Sequence, residues 1–149
     1  EGWKERTGTM ERHREMVLRL WFHMWLQGKD LGIEKIFTPD CTYIESWGPK
    51  YQGREKVALW FREWNTRGRV VRWDAEQFFH RGDQTVVEWS FRNKMNHGGV
   101  EEFHGLSLVR WDEEDRIAFL QEFGCNIHNY DPYAAGEVPV FREEPTVWF

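Results

Sequence analysis

The apolar residues at the start of the chain follow a helical spacing. They crowd the segment from Thr9 to Gln27, where Thr9 is a suitable N-cap and Gly28 a suitable stop signal. Little polar face remains in the second half of this segment, so the pattern predicts a helix that is buried on most sides. Asp30 can cap a short second helix that continues through Phe37.

A third helix is predicted from Arg54, after a loop marked by glycine and proline, and it ends with Gly68 as C-cap. Its apolar residues recur at positions i, i+3, i+4 and i+7: Val57, Trp60, Phe61 and Trp64. This spacing gives an amphipathic helix with one aromatic face.

The remaining segments alternate in the manner of β-strands. A short strand over Cys41–Trp47 places Tyr43, Glu45 and Trp47 on one face. Four more strands are predicted over Arg69–Phe79, Gln84–Lys94, Val100–Trp111 and Arg116–Phe123. Their short, turn-rich connections predict an antiparallel meander. Helices followed by strands indicate an α+β fold, with the helices packed on one face of a curved sheet.

Length and charge restrict the class of protein. The 149 residues fit one domain, with residues 1–8 as a flexible leader and 125–149 as a C-terminal extension. Its last residues, Val147-Trp148-Phe149, are expected to dock on the domain or on a partner subunit. A net charge of −5 with dispersed basic residues argues against a nucleic-acid partner, and no apolar run is long enough to span a membrane.

The two cysteines, Cys41 and Cys125, are far apart and lack the spacing of a redox or zinc motif. We expect both to be reduced thiols in a cytoplasmic protein, and a single bridge between them stays open as an alternative. Cys125 and His128 form no complete ligand set, and no nucleotide-binding motif is present. We therefore expect neither a metal nor a cofactor.

Two carboxylates are candidates for chemistry. Glu45 lies among aromatic residues where a strand meets a loop, and desolvation there would raise its pKa towards values useful for proton transfer. Glu122 follows an apolar run, and it points inward if it shares a face with Leu120. The alternatives are a solvated Glu45 or one paired with Arg54, and a structural ion pair for Glu122.

Strand parity leaves further choices open. On the strand over Gln84–Lys94, one face carries Val87, Trp89 and Phe91, and the other carries Glu88, Ser90 and Arg92. Either face could be turned towards the helices, and we favour Trp89 inward. His104 and Ser107 lie on opposite faces of their strand, so only one of them can reach a cavity. The ten tryptophans and eleven phenylalanines either fill a core or line a cavity for a flat ligand.

Three segments resemble the SnoaL-like branch of the nuclear-transport-factor-2-like superfamily, which includes ketosteroid isomerases and polyketide cyclases. They are Phe37-Thr-Pro-Asp-Cys-Thr-Tyr, Gly53-Arg-Glu-Lys-Val with Trp60-Phe61, and Phe103-His-Gly-Leu-Ser-Leu-Val-Arg-Trp-Asp with Arg116-Ile. The resemblance extends from about Met10 to Gly124. It implies a cone-shaped α+β barrel with a deep pocket between the helices and the concave sheet, and frequent dimerisation through the sheet.

The resemblance also implies site residues. Glu45 occupies the position at which the isomerases have their catalytic aspartate, and Ser107 occupies the position of their partner acid. The tyrosine that donates to the oxyanion in the isomerases falls near Trp21 or Phe22, neither of which has a hydroxyl group. Glu122 is the candidate for the acid that the cyclases place late in the chain.

We therefore expect a homodimeric, cofactor-free isomerase, cyclase or related lyase that acts on a hydrophobic carbonyl compound. Glu45 would remove a proton, and Glu122 or Ser107 would stabilise or return it. The residues expected to pack against the substrate are Tyr43, Trp47, Trp60, Phe61, Trp64, Trp89 and Leu120. The alternatives are a non-catalytic module that binds a hydrophobic ligand or a partner, and a fold whose pocket is filled by core side chains.

Overall fold

Three helices and six strands make up the described part of the chain. The structure is a computed structural model, and it describes residues 2–142. The helices are α1 (Gly2–Gln27), α2 (Ile33–Ile36) and α3 (Arg54–Arg67). The strands are β1 (Phe37–Ile44), β2 (Lys50–Gln52), β3 (Gly68–Arg81), β4 (Gln84–Met95), β5 (Val100–Trp111) and β6 (Ile117–Asn126). The docking predicted for Val147–Phe149 lies outside the described residues.

All six strands form one curved, mixed sheet in the order β2-β1-β6-β5-β4-β3. The pairs are antiparallel except β1 with β6, which is parallel. The register of β3 against β4 shifts between Val70 and Arg72 and again between Ala75 and Gln77. Such bulges bend and twist a strand, so they help to curve the sheet around the helices. The fold is the predicted α+β arrangement, in which the sheet packs against the N-terminal helix.

The core between α1 and the sheet is built from large aromatic side chains. Trp21 is fully buried, and its ring centroid lies 5.0 Å from that of Phe37 and 5.8 Å from that of Tyr43. Its indole N–H donates a hydrogen bond of 3.2 Å to the Tyr43 hydroxyl. Phe22, on the next position of α1, stacks on Trp73 of β3 with a centroid distance of 4.1 Å. The apolar face predicted for this helix therefore holds α1 against both edges of the inner sheet surface.

The predicted meander is confirmed, because β3, β4, β5 and β6 pair in succession through short turns. The N-cap of α2 is Gly32 rather than the predicted Asp30. The Asp30 carboxylate nevertheless accepts hydrogen bonds from the backbone N–H groups of Gly32 and Ile33, at the start of this helix. Gly68 is the C-cap of α3, as expected.

The bounds of α1, α2 and β1 differ from the prediction. Helix α1 begins at Gly2 rather than Thr9, and the Thr9 hydroxyl accepts a hydrogen bond from the Arg12 guanidinium instead of capping the helix. Strand β1 begins at Phe37 rather than Cys41 and ends at Ile44 rather than Trp47. The second helix is therefore one turn long and ends at Ile36. The hairpin partner β2 was not predicted, because three residues are too few to show an alternating pattern.

No helix of residues 2–142 combines the length and the apolar composition needed to cross a membrane. Cys41 is buried and Cys125 is exposed, and both are free thiols. The alternative of a bridge between them is therefore not what the structure shows. Burial raises the pKa of the Cys41 thiol to about 11, so this group stays protonated and unreactive at neutral pH.

Candidate functional site

A cavity of about 280 Å³ lies between α1, α3 and the inner face of the sheet. Its aromatic lining residues are Trp25, Trp47, Tyr51, Trp60, Trp64, Trp73, Trp89, Phe91 and Phe103. Its polar lining residues are Glu45, Ser46, Arg67, Asn93, Glu101 and Glu122. The volume is just below the usual range for small-molecule sites, so the cavity suits a compact ligand.

Glu45 reaches this cavity from the turn that follows β1. Its backbone N–H donates to the Pro49 carbonyl at 2.9 Å, and its own carbonyl accepts from the Gly48 N–H at 3.1 Å, which fixes the turn. The Tyr51 hydroxyl, on the paired strand β2, donates a hydrogen bond of 2.8 Å to the Glu45 carboxylate. Tyr51 is itself held by stacking on Trp60 of α3, with ring centroids 4.6 Å apart.

The protonation of Glu45 is shifted by its surroundings. Burial among the aromatic side chains raises the pKa of this carboxyl, since the charged form loses solvation. Hydrogen bonds from Tyr51 and Trp47, together with the charge of Arg67, pull the pKa in the opposite direction. The net result is a raised pKa, which makes Glu45 a stronger base than a surface glutamate.

Glu122 faces the same cavity from β6, opposite Ser107 of β5. Burial raises the pKa of its carboxyl to about 8, and the negative charge of Glu45 contributes in the same direction. The hydroxyl group of Tyr43 hydrogen-bonds to the Glu122 carboxyl and partly opposes this shift. Since Tyr43 also accepts from Trp21, the chain Trp21–Tyr43–Glu122 anchors the carboxyl to the core.

Glu45 and Glu122, called the carboxylate pair below, therefore differ in their protonation at neutral pH. Glu122 carries its proton and can donate it, whereas the charge of the Glu45 carboxylate is supported by hydrogen bonds from Tyr51 and Trp47 and by the charge of Arg67. Mutual repulsion separates the two pKa values further. Two carboxyl groups in different protonation states beside one cavity are suited to general acid–base chemistry.

Ser107 does not line this cavity, although the resemblance placed a donor there. It lies on the inner face, as the family comparison favoured, but only 1 % of it is exposed. The Trp89 indole covers it and donates a hydrogen bond of 2.9 Å to its hydroxyl oxygen. Trp89 can take this position because it packs over Gly105, where an added Cβ would lie 2.7 Å from the indole ring. The geometry thus gives Ser107 a structural contact in place of the predicted contact with substrate.

Ser107→Ala is expected to lower the free energy of unfolding by about 1–3 kcal/mol, because it leaves the buried Trp89 N–H without an acceptor. Urea denaturation measures this loss. Ser90→Ala, on the outer face of the neighbouring strand, is the matched control and should change the free energy by less than about 0.5 kcal/mol. Equal effects of the two substitutions would contradict the structural role of Ser107.

The structure separates the predicted substrate contacts into two groups. Trp47, Trp60, Trp64 and Trp89 line the cavity. The other three, Tyr43, Phe61 and Leu120, are almost completely buried behind its wall, in the core shared by α1 and the sheet. Tyr43 still touches the site indirectly, through its hydrogen bond to Glu122.

Within residues 2–142, the contacts of Glu45 and Glu122 do not include the ion pairs that were open as alternatives. Arg54 does not pair with Glu45, since its guanidinium donates to the carbonyl oxygens of Glu34 and Phe37. Glu122 forms no ion pair with any of the described residues. Neither carboxylate is thus accounted for by a salt bridge.

Several lining residues were not predicted. Tyr51 belongs to the short strand that the pattern did not show, and Trp25 and Trp73 were not among the predicted substrate contacts. Asn93 and Glu101 form a cross-strand pair, in which the Asn93 amide donates a hydrogen bond of 3.2 Å to the Glu101 carboxylate. The alternation of β4 would have given Asn93 once Trp89 was placed inward, because four residues separate them.

The opposite face of the sheet carries charged groups rather than cavity residues. His104 points there, as its offset from Ser107 requires, and its ring nitrogen lies 2.9 Å from the Glu88 carboxylate. Glu76 adds a third potential metal-ligating group, with all three ligand atoms within 4.8 Å of one another. Glu88 also accepts a hydrogen bond of 2.6 Å from Gln77, so these groups form a surface network.

Comparisons with known proteins agree with this architecture. Residues 18–120 match the family model of the SnoaL-like domain. No curated protein matches the sequence. Three solved structures illustrate the shared fold. The first is a hypothetical protein with a ketosteroid isomerase-like fold from Catenulispora acidiphila, in complex with trimethylamine. It has a TM-score of 0.62 and 17 % identity, over 72 % of this chain and 83 % of that one.

The second is a steroid delta-isomerase from Pseudomonas aeruginosa, with a TM-score of 0.58 and 18 % identity. The match covers 76 % of this chain and 80 % of that one. A third similar structure is an epoxide hydrolase from M. tuberculosis, with a TM-score of 0.65 and 11 % identity, over 74 % of this chain and 80 % of that one. At these identities the likeness concerns the fold.

Proposed function

The chain belongs to the SnoaL-like domain family, and on this basis we propose that it is a cofactor-free acid–base enzyme of the isomerase, cyclase or lyase type. Its substrate would be a compact, hydrophobic carbonyl compound held in the aromatic cavity. Glu45 would act as the base and Glu122 as the acid. The observation that carries this proposal is that the carboxylate pair faces one aromatic cavity and forms no salt bridge with the described residues.

The proposed reaction begins at the carbon next to the carbonyl group. The Glu45 carboxylate removes a proton from this carbon, and the electron pair of the broken C–H bond becomes the C=C bond of an enol. The carbonyl oxygen takes the proton of Glu122 at the same time, so charge does not accumulate on it. Glu122 is then a carboxylate and Glu45 a carboxylic acid. Where the substrate is a β,γ-unsaturated ketone this intermediate is a conjugated dienol. The isomerised ketone forms when Glu45 delivers its proton to the far (γ) carbon of the dienol, the double bond shifts towards the carbonyl group, and Glu122 recovers its proton from oxygen.

The surrounding residues support these roles. The Tyr51 hydroxyl orients the Glu45 carboxylate by its hydrogen bond of 2.8 Å, and stacking on Trp60 holds Tyr51 in place. Tyr43 orients Glu122 from behind. Burial keeps Glu122 protonated at neutral pH, as an acid must be. The aromatic side chains exclude water and pack against a flat substrate.

Proton abstraction can be tested without knowing the natural substrate. The probe is 2-tetralone, an aromatic ketone with acidic protons beside its carbonyl group, and proton NMR in D₂O follows the loss of these signals. We expect the protein to accelerate their exchange, with saturation at high ketone concentration. An exchange rate equal to that of buffer, despite saturable quenching of tryptophan fluorescence by the ketone, would contradict the proposed reaction.

That same outcome would favour the alternative, a non-catalytic module that binds a hydrophobic ligand. The observation behind this alternative is the number of aromatic side chains that line the cavity. Such side chains bind an apolar ligand even where no reaction occurs. The panel for the fluorescence measurement should contain steroids, cyclic ketones, lactones and polyketide-like aromatics. It should also include small amines, because the structure from Catenulispora acidiphila was solved in complex with trimethylamine.

We further propose that the protein is a homodimer whose subunits meet through the outer face of the sheet, in a reducing, cytoplasmic environment. Leu106 and Phe123 are cross-strand neighbours and are 42 % and 48 % exposed, which suits them to an interface. The two free cysteines fit a reducing compartment. Light scattering after size-exclusion chromatography should give twice the 18.1 kDa chain mass, and Leu106→Glu should reduce it to one chain mass.

A further inference from the structure

The aromatic rings around the cavity offer their faces and edges more than their polar atoms. Six tryptophans, one tyrosine and two phenylalanines line the wall. The indole nitrogens of Trp25 and Trp73 are inaccessible to water and have no hydrogen-bond partner among the described residues. The Trp89 nitrogen is occupied by Ser107. These three indoles therefore present ring carbon to a ligand, and the π-electrons of such rings attract positive charge.

The charged groups of the wall point to the same kind of ligand. Glu45 and Glu101 line the cavity, and neither forms an ion pair with a described residue. Glu122 lines it too, but it carries its proton at neutral pH and adds no charge. Arg67 also lines it, but two hydrogen bonds of 2.6 and 3.0 Å tie its guanidinium to Glu63. Negative charge is thus in excess among the described side chains around the cavity.

Glu101 lies apart from the carboxylate pair. It is six residues from Ser107 on β5, and Ser107 is opposite Glu122 in the sheet. At about 3.4 Å per residue, the two backbone positions are roughly 20 Å apart along the strand. Phe91 and Phe103 lie between these levels, stacked with parallel rings 5.8 Å apart. The cavity therefore has a reacting end at the carboxylate pair and an aromatic, acidic end at Glu101.

We propose that the ligand carries a tertiary or quaternary ammonium group, which lies against Phe91 and Phe103 and close to the Glu101 carboxylate. This inference rests on the proposed function, because the carbonyl group of the same molecule would then lie at the carboxylate pair. The substrate class is an aminated carbonyl compound. A neutral ligand would leave the Glu101 charge unmatched, and an anion would have to displace Glu63 from Arg67.

Three molecules of the same shape test the proposal: choline, its neutral analogue 3,3-dimethylbutan-1-ol, and the anion 3,3-dimethylbutanoate. Their binding is measured by quenching of tryptophan fluorescence at pH 7. We expect choline to bind about tenfold more tightly than the neutral alcohol. In Glu101→Gln this preference should fall at least threefold. Glu102→Gln, on the other face of the same strand and paired with Arg92, should keep it.

Other outcomes overturn the inference. Equal binding of choline and the alcohol would show that only apolar packing matters, and tightest binding of the carboxylate would show that Arg67 recognises an anion. Failure of all three to bind would also overturn it. The proposed function is tested separately, and it fails if the protein does not accelerate the proton exchange of 2-tetralone. If the protein accelerates proton exchange of 2-tetralone but does not prefer choline, only the proposed ammonium group is refuted. If it prefers choline but does not accelerate the exchange, only the proposed reaction is refuted.

Discussion

Glu45→Gln is expected to slow the exchange of 2-tetralone protons by about 10²–10⁴-fold, the usual contribution of a positioned general base. Glutamine has nearly the shape of glutamate, and its carbonyl oxygen can still accept the hydrogen bond from Tyr51. It cannot take up a proton, however. The affinity for the ketone, measured by fluorescence quenching, should therefore change little while the turnover rate falls.

The pH dependence of the wild-type rate provides a second readout. The rate should rise as Glu45 loses its proton and fall again as Glu122 loses its own near pH 8. In Glu122→Gln the upper fall should disappear. Glu55→Gln, an exposed position on α3, is the control for an added amide and should keep the wild-type rate. A Glu45→Gln protein with full turnover would remove Glu45 from the mechanism.

Arg14→Ala is expected to lower the free energy of unfolding by about 3 kcal/mol. Arg14 is only 5 % exposed, and its guanidinium donates 2.8 Å hydrogen bonds to the Asp115 carboxylate and to the Gly82 carbonyl. It also lies 5.7 Å from the centre of the Trp111 ring. Removal of the cation leaves the Asp115 carboxylate without its partner. The expected loss is at the lower end of the usual range for breaking a buried ion pair, because the Asp115 side chain is 23 % exposed.

This contact matters for the site because it fixes α1 to the sheet. Gly82 belongs to the β3–β4 turn and Asp115 to the β5–β6 turn, so Arg14 holds both turns against the helix. Trp25, farther along α1, forms part of the cavity wall. Urea denaturation of Arg14→Ala and of the exposed control Arg12→Ala provides the comparison. The assignment is wrong if Arg14→Ala loses no more stability than Arg12→Ala.

Features that depend on local spacing could be predicted from the sequence. The meander was found because alternation and turn residues are encoded within each strand pair, as in the turn at Gly82, whose positive φ of 60° suits glycine. The inward face of β4 followed from burying Trp89, and this orientation is confirmed. Glu122 lies on the cavity wall because it follows the alternation of β6, whereas Glu45 reaches the wall from the turn after β1.

Features that depend on distant packing could not be predicted. Parity left His104 and Ser107 as alternatives and the family resemblance favoured Ser107, but neither could show that the Trp89 ring, one strand away, would cover Ser107. Nor could it show that Tyr43 and Phe61 would lie behind the wall, because their depth is set by α1 packing over them. The hydrogen bond from Tyr51 to Glu45 depends on a three-residue strand with no recognisable pattern.

The protonation of Glu122 is the most direct test of the account. Carbon-13 NMR of protein labelled at the glutamate side-chain carboxyl groups follows each titration, and the resonance missing from Glu122→Gln identifies this residue. This resonance should titrate near pH 8, so that Glu122 is protonated at neutral pH. A midpoint near the ordinary glutamate value of about 4.3 would contradict it, since both carboxyl groups would then be ionised and neither could serve as the acid.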